Sequence, residues 1–222
     1  MTPGPAKTGE DGRKAVRRRD PDRARASILA AATAEFAALG FGGARVDAIA
    51  AQAGINKRML YHYFGNKDEL YLAVLEDAYA AIRAAESELV LARGNPADAM
   101  RKLVLFTWRY YREHPEFLSL LATENVNQGA VLGKSAKIRD LNSPLIATIQ
   151  SLLRQGAAEG KFRRGVDPFR LYVSISSLCF FYLANRWTLR VSFGRDLGAP
   201  DEIEAWGEHV VSVIIGYLRP RA

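Results

Sequence analysis

The residues from Asn56 to Tyr63 form the densest set of side chains able to meet another molecule: Asn56, Lys57, Arg58, Met59, Tyr61, His62 and Tyr63. The chemistry on offer is contact with a polyanion. Lys and Arg pair with phosphate, Arg can also donate bidentately to guanine O6 and N7, and Met can lie on a thymine methyl. Tyr61 and His62 are amphipathic side chains that suit phosphate and base edges. No comparable cluster suggests catalysis: there is no Walker loop, no dinucleotide glycine fingerprint and no paired metal motif. The three histidines, His62, His114 and His209, lack ligand spacing, so neither metal nor cofactor is expected. Lys57, Arg58 and Lys67 could also be a merely solvated face, and Leu60, Phe64 and part of Tyr63 are expected to be packing residues.

Hydrophobic period defines the elements that must position this run. Ile28, Leu29, Ala32, Phe36 and Leu39 recur at helical spacing from Pro21 until Gly40, a natural stop. A short helix, Val46 to Ala53, ends at Gly54, and Asn56 can cap the next, Asn56 to His62. Asn66 caps again, with Asp68 and Glu69 in a first turn where the helix dipole favours acids, and Leu70, Val74, Leu75, Ala78, Tyr79 and Ile82 carry a long fourth helix. Two short helices meeting at a glycine turn and backed by a third make a helix-turn-helix, whose second helix fits the DNA major groove.

The segment "ARVDAIAAQAGINKRMLYHYFGNKDELYLAVL", Ala44 to Leu75, resembles the DNA-binding domain of the TetR (tetracycline-repressor) family. Tyr61, His62, Tyr63, Phe64, Lys67, Asp68 and Leu70 stand at the family's aromatic signature and the turn after it. Phe36, Gly40, Phe41, Gly42, Ile49, Ala50, Gly54 and Ile55 match upstream. Ala44, Arg58 and Met59 depart from the commonest pattern, which bears on operator sequence. The resemblance implies an all-α protein of about nine helices: a mobile basic arm at residues 1–19, a three-helix DNA-binding domain at 20–66, and a larger ligand-binding and dimerisation domain at 67–222. It also implies that Arg45 and Lys67 clamp phosphates; Lys57 and Arg58, by their own chemistry, can reach phosphate or guanine, and Met59 a thymine methyl.

Beyond Gly94 the expected helices are Asn95 to about His114, Pro115 through Asn125, Lys137 to Ala158, Asp167 to about Asn185, and Pro200 to Leu218; Ser143 and Pro144 either start or kink the third of these. The run Leu171 to Ala184 could locally be a buried strand, although its length and neighbours favour helix. Two apolar stripes on each of the last two helices suggest one face for the core and one for a second copy. That assigns Phe180, Phe181, Val210, Val211, Ile214, Ile215 and Leu218 to a homodimer interface. Trp108, Tyr111, Phe117, Asn125, Tyr172, Ser176 and Arg186 are expected to line a pocket for a small apolar or aromatic effector.

The net charge is +7, and the first 26 residues, with eight basic and four acidic side chains, hold +4 of it. This arm either follows DNA or only solubilises. A single cysteine, Cys179, in an apolar run suits a reducing cytoplasm, and no leader or membrane span is expected. The implied function is a regulator that double-stranded operator DNA binds and a small effector releases. The alternatives are a non-switching architectural protein and a helical carrier or enzyme.

Overall fold

The computed structural model describes residues 21–89 and 94–220, so the expectation for the arm at 1–19 falls outside the described residues. Those residues form nine α-helices and no strand: α1 (Pro21–Gly43), α2 (Val46–Gln52), α3 (Lys57–Phe64), α4 (Lys67–Ser87), α5 (Pro96–Glu113), α6 (Pro115–Val126), α7 (Lys137–Ala158), α8 (Pro168–Phe193) and α9 (Pro200–Leu218). Side-chain caps begin several of them. Asn56 accepts from the Met59 N–H at 2.9 Å, Asn66 from Glu69 at 2.9 Å, Asn95 from Ala97 at 3.0 Å and Asp167 from Arg170 at 2.8 Å, each satisfying an otherwise orphaned amide. Gly40, at φ 66, breaks α1 where the apolar period stops.

Two hydrophobic cores share α4. The smaller joins Ile28, Ala32 and Phe36 of α1 to Ile49 of α2, Leu60 and Phe64 of α3, and Leu70, Tyr71 and Val74 of α4; Leu120 of α6 and Ile138 of α7 close it. The larger is built around α5, whose Met100, Leu103, Val104, Trp108 and Tyr111 meet Ile149 of α7, Ile175 and Cys179 of α8, and Val210 and Ile214 of α9. Ile82 places the far end of α4 in this second core. By length and a mean hydropathy of 1.3, α1 could cross a membrane, but Ile28, Leu29 and Phe36 are buried in the smaller core, as in the core helix of a globular domain.

Three elements differ from expectation. The helix α8 continues to Phe193, because Arg186 to Phe193 contains no breaker and the left-handed cap waits for Gly194 at φ 69. The helix α7 runs unbroken through Pro144. Pro144 has no N–H to offer the carbonyl one turn back, and the Asn142 and Ser143 side chains bond the neighbouring Ile138 and Arg139 carbonyls at 2.9 and 3.1 Å. Between α6 and α7 lies an unforeseen 3-10 turn, Leu132–Lys134, held where the Leu132 N–H donates to the Glu124 carboxylate at 2.9 Å.

Candidate DNA interface and effector cavity

Leu60 and Phe64, four residues apart, bury one side of α3. The opposite side therefore carries Lys57, Arg58, Tyr61 and His62 into solvent, with Met59 and Tyr63 half-buried at its margins. Gly54 at φ 67 makes the turn from α2, and Gly65 at φ 71 ends α3, where an added Cβ would run into the Glu69 carboxylate. Arg45 stands exposed before α2, its N–H donating to Glu35 at 3.0 Å. The ammonium of Lys67 lies 4.9 Å from the centre of the Phe41 ring, an attraction that holds it at the start of α4. Asp47 of α2 binds Lys57 at 3.0 Å, and this hydrogen bond raises the Lys57 pKa. Sequence reasoning missed Asp47 because nothing in the spacing of ten residues says that α2 and α3 cross there.

The best-formed cavity, of about 800 Å³, opens between α4 and α7. Ala73, Glu76, Asp77, Ala80, Arg83, Ala84 and Ser87 line it from α4 at spacings of three and four, and Lys137, Asp140, Leu141, Pro144, Leu145 and Thr148 line it from α7 in the same rhythm. Alanines where a core face would carry larger groups leave the space. Leu103 of α5 and Arg25 of α1 complete the wall, so the cavity reaches the first helix. Glu76 accepts from Ser135 at 2.7 Å and from Lys137 at 3.0 Å. Its carboxyl lies below the usual range, because these bonds and the nearby charge of Arg25 outweigh its own partial desolvation.

None of the seven side chains expected to line an effector pocket borders this cavity. Trp108, Tyr111 and Phe117 are buried in close aromatic packing: Trp108 edge-on to Tyr182 at 5.6 Å, and Tyr111 at 5.8 Å from Phe117. Tyr172 and Ser176 of α8 adjoin Tyr111, whose hydroxyl burial pushes to higher pKa. Asn125 is exposed and donates to its own helix at Leu121, and Arg186 sits 4.9 Å over the Trp187 ring on the outer part of α8. The expectation weighted aromatic content; it gave no weight to the small residues of α4 that make room. Those alanines at helical spacing were the available signal.

Residues 28–74 match the family described as "Bacterial regulatory proteins, tetR family", and residues 96–214 match "Tetracyclin repressor-like, C-terminal domain". The chain is 39% identical over 204 residues to the HTH-type transcriptional repressor NicS of Pseudomonas putida, covering 92% of this chain and 96% of that one. The chain belongs to the TetR family. A second relative of this TetR protein is the HTH-type transcriptional repressor SCO4008 of Streptomyces coelicolor, 41% identical over 113 residues, covering 50% of this chain and 54% of that one. Its fold is that of the ketosteroid transcriptional regulator KstR2 of Mycobacterium tuberculosis, with a TM-score of 0.65 at 23% identity over 89% of this chain and 95% of that one.

For a TetR-family chain the outward faces of the last two helices matter, and here the interface expectation needs correction. Val210, Val211, Ile214 and Leu218 lie inside the protomer's own core, because α9 turns that face onto α5, where Gly207 admits the Trp108 ring. Phe180 and Ile215 are half-buried at its edge. Phe181 does face outward, 57% exposed, joined by Val173 on α8 and by Val213 and Tyr217 on α9. The unforeseen last turns of α8 add Trp187, Val191 and Phe193.

Proposed function

We propose that this chain is a homodimeric, cytoplasmic transcriptional repressor, that it holds operator DNA through α3, and that it lets go when a small organic effector enters the cavity between α4 and α7. The observation that carries the reading is the division of α3: an inward side anchored by Leu60 and Phe64, and an outward side that turns Arg58, Tyr61 and His62, with Lys57 held by Asp47, to solvent where a major groove can meet them. Arg45 and Lys67 flank it at helix starts and suit phosphate contact. Exposed Phe181, Trp187, Val213 and Tyr217 suit a second copy better than water.

The route from effector to DNA is short. Arg25 of α1 lines the cavity, senses the charge of Glu76, and lies 5.2 Å from the centre of the Phe64 ring in α3. A ligand that shifts α4 against α1 therefore acts on the recognition helix, and a coupling of about 1 to 3 kcal/mol changes operator affinity roughly 5- to 150-fold. The test is selection of bound sequences from random DNA, followed by titration of the selected site with and without candidate effectors. The reading requires a near-palindromic site and reciprocal weakening of effector and operator; sequence-independent binding of every duplex would refute it.

A further inference from the structure

Arg83 lies in the wall of the α4–α7 cavity with only 9% of its side chain exposed, and its Nε and Nη1 donors have no hydrogen-bond acceptor. Glu86, one turn further along α4, offsets its charge, with Oε2 2.8 Å from Nη1 but out of line for a hydrogen bond. Buried charged donors are seldom left unmet, because desolvation is then uncompensated. Around this guanidinium the cavity is mostly apolar, with Ala80, Ala84, Leu103, Leu141 and Leu145. The acid at the other end, Glu76, is already engaged by Ser135 and Lys137. The site thus offers a buried cationic donor, paired in charge with Glu86 but without an in-line acceptor, beside a greasy slot.

We infer that the cavity takes a small organic acid, its carboxylate accepting from Arg83 and its ring or chain lying along Ala80, Ala84, Leu141 and Leu145. This rests on the reading of the cavity as the effector site. A carboxylate arriving at Arg83 meets Glu86, so that Glu86 takes up a proton or yields its place. Burial already pushes the Glu86 carboxyl up to about 7 against the pull of Arg83, and uptake is therefore accessible near neutrality. Arg83 is the charge that acts on this carboxyl; the other charged side chains lining the cavity are Lys137 and Asp140 from α7, Arg25 from α1, and Glu76 and Asp77 from α4 itself, and α5 contributes Leu103. The acid should accordingly bind more tightly as the pH falls through neutrality.

Calorimetric titration of the full chain with benzoate and naphthoate, each beside its amide of the same shape, tests the inference. The better acid should bind at least roughly tenfold tighter than its amide, as a charge-assisted hydrogen bond would give. The Arg83→Gln variant should erase that preference and Arg83→Lys keep part of it. Glu86→Gln should tighten acid binding above neutral pH and remove its pH dependence. Equal affinity for acid and amide, binding of neither acid, or undiminished preference in Arg83→Gln overturns the proposal; if Arg83→Gln does not fold, the Glu86→Gln pH profile decides. Thr148→Trp, which fills the cavity, separates this from the effector reading. An amide that releases operator from the parent protein but not from Thr148→Trp upholds the cavity and sinks the acid, whereas release persisting in Thr148→Trp sinks the cavity itself.

Discussion

At the scale of single residues, Arg58 and Lys67 are both cations on the proposed DNA face but differ in what they can specify. Replacing Lys67 by Ala should weaken binding across all sequences and lower its salt dependence, whereas Arg58→Ala should cost about 1 to 3 kcal/mol and relax base preference, as competition binding against mutated operators would show. Asp47 is an opposite case: it occupies Lys57 and adds a negative charge to the proposed DNA face. Asp47→Ala should therefore raise affinity for non-operator DNA more than for operator, measurable in the same assay. Glu86 carries a stability signature of its own. Its folded carboxyl titrates near 7 while the unfolded value is 4.5, so between these values the native state keeps a proton that the unfolded chain has released. Stability attributable to this group is thus full below the lower value and falls as pH rises through the window, by at most about 3 kcal/mol. Urea unfolding across that window should show the slope in the parent protein and its absence in Glu86→Gln.

At the scale of elements, helix starts were legible because their cause is local. Asn56, Asn66, Asn95 and Asp167 stand at caps in the sequence and in the structure, since a side chain and an amide two or three residues on need no tertiary help. Asn56→Ala should cost about 1 kcal/mol by thermal or urea unfolding and loosen the start of α3. The exposed side of α3, the proposed DNA face, was legible for a related reason: Leu60 and Phe64 mark the buried side, and Lys57, Arg58, Tyr61 and His62 lie away from it. The side that α9 presents to α5 was not, because Val210, Val211, Ile214 and Leu218 read equally well as core or interface until Gly207 is seen against Trp108. A Cβ added at Gly207 would come within 2.8 Å of the indole, so Gly207→Ala should destabilise the protomer by about 1 to 3 kcal/mol. The cavity was illegible for the complementary reason: it exists where side chains are small, and emptiness across two helices distant in sequence leaves no local pattern.

At the scale of the whole molecule, the core faces of α8 and α9 carry stability, and the proposed association would fall to the opposite faces of the same two helices. Ile214→Ala should lower unfolding stability by about 2 to 5 kcal/mol. Phe181→Glu, on the exposed face, should leave the fold intact while shifting the protein to monomers by light scattering and weakening operator binding, since two half-sites need two recognition helices. Cys179 lies fully buried where α8 faces the larger core, its thiol pushed up to about 12 by desolvation. A thiolate is the reactive form, so alkylating reagents can reach this sulfur only while the core stands open. The rate of its modification is therefore a built-in clock for opening of the regulatory half, one that effector and operator would each be expected to slow. A cysteine introduced on the surface of α3 could be labelled selectively against that silent background, giving a spectroscopic ruler for the separation of the two DNA-reading helices before and after release.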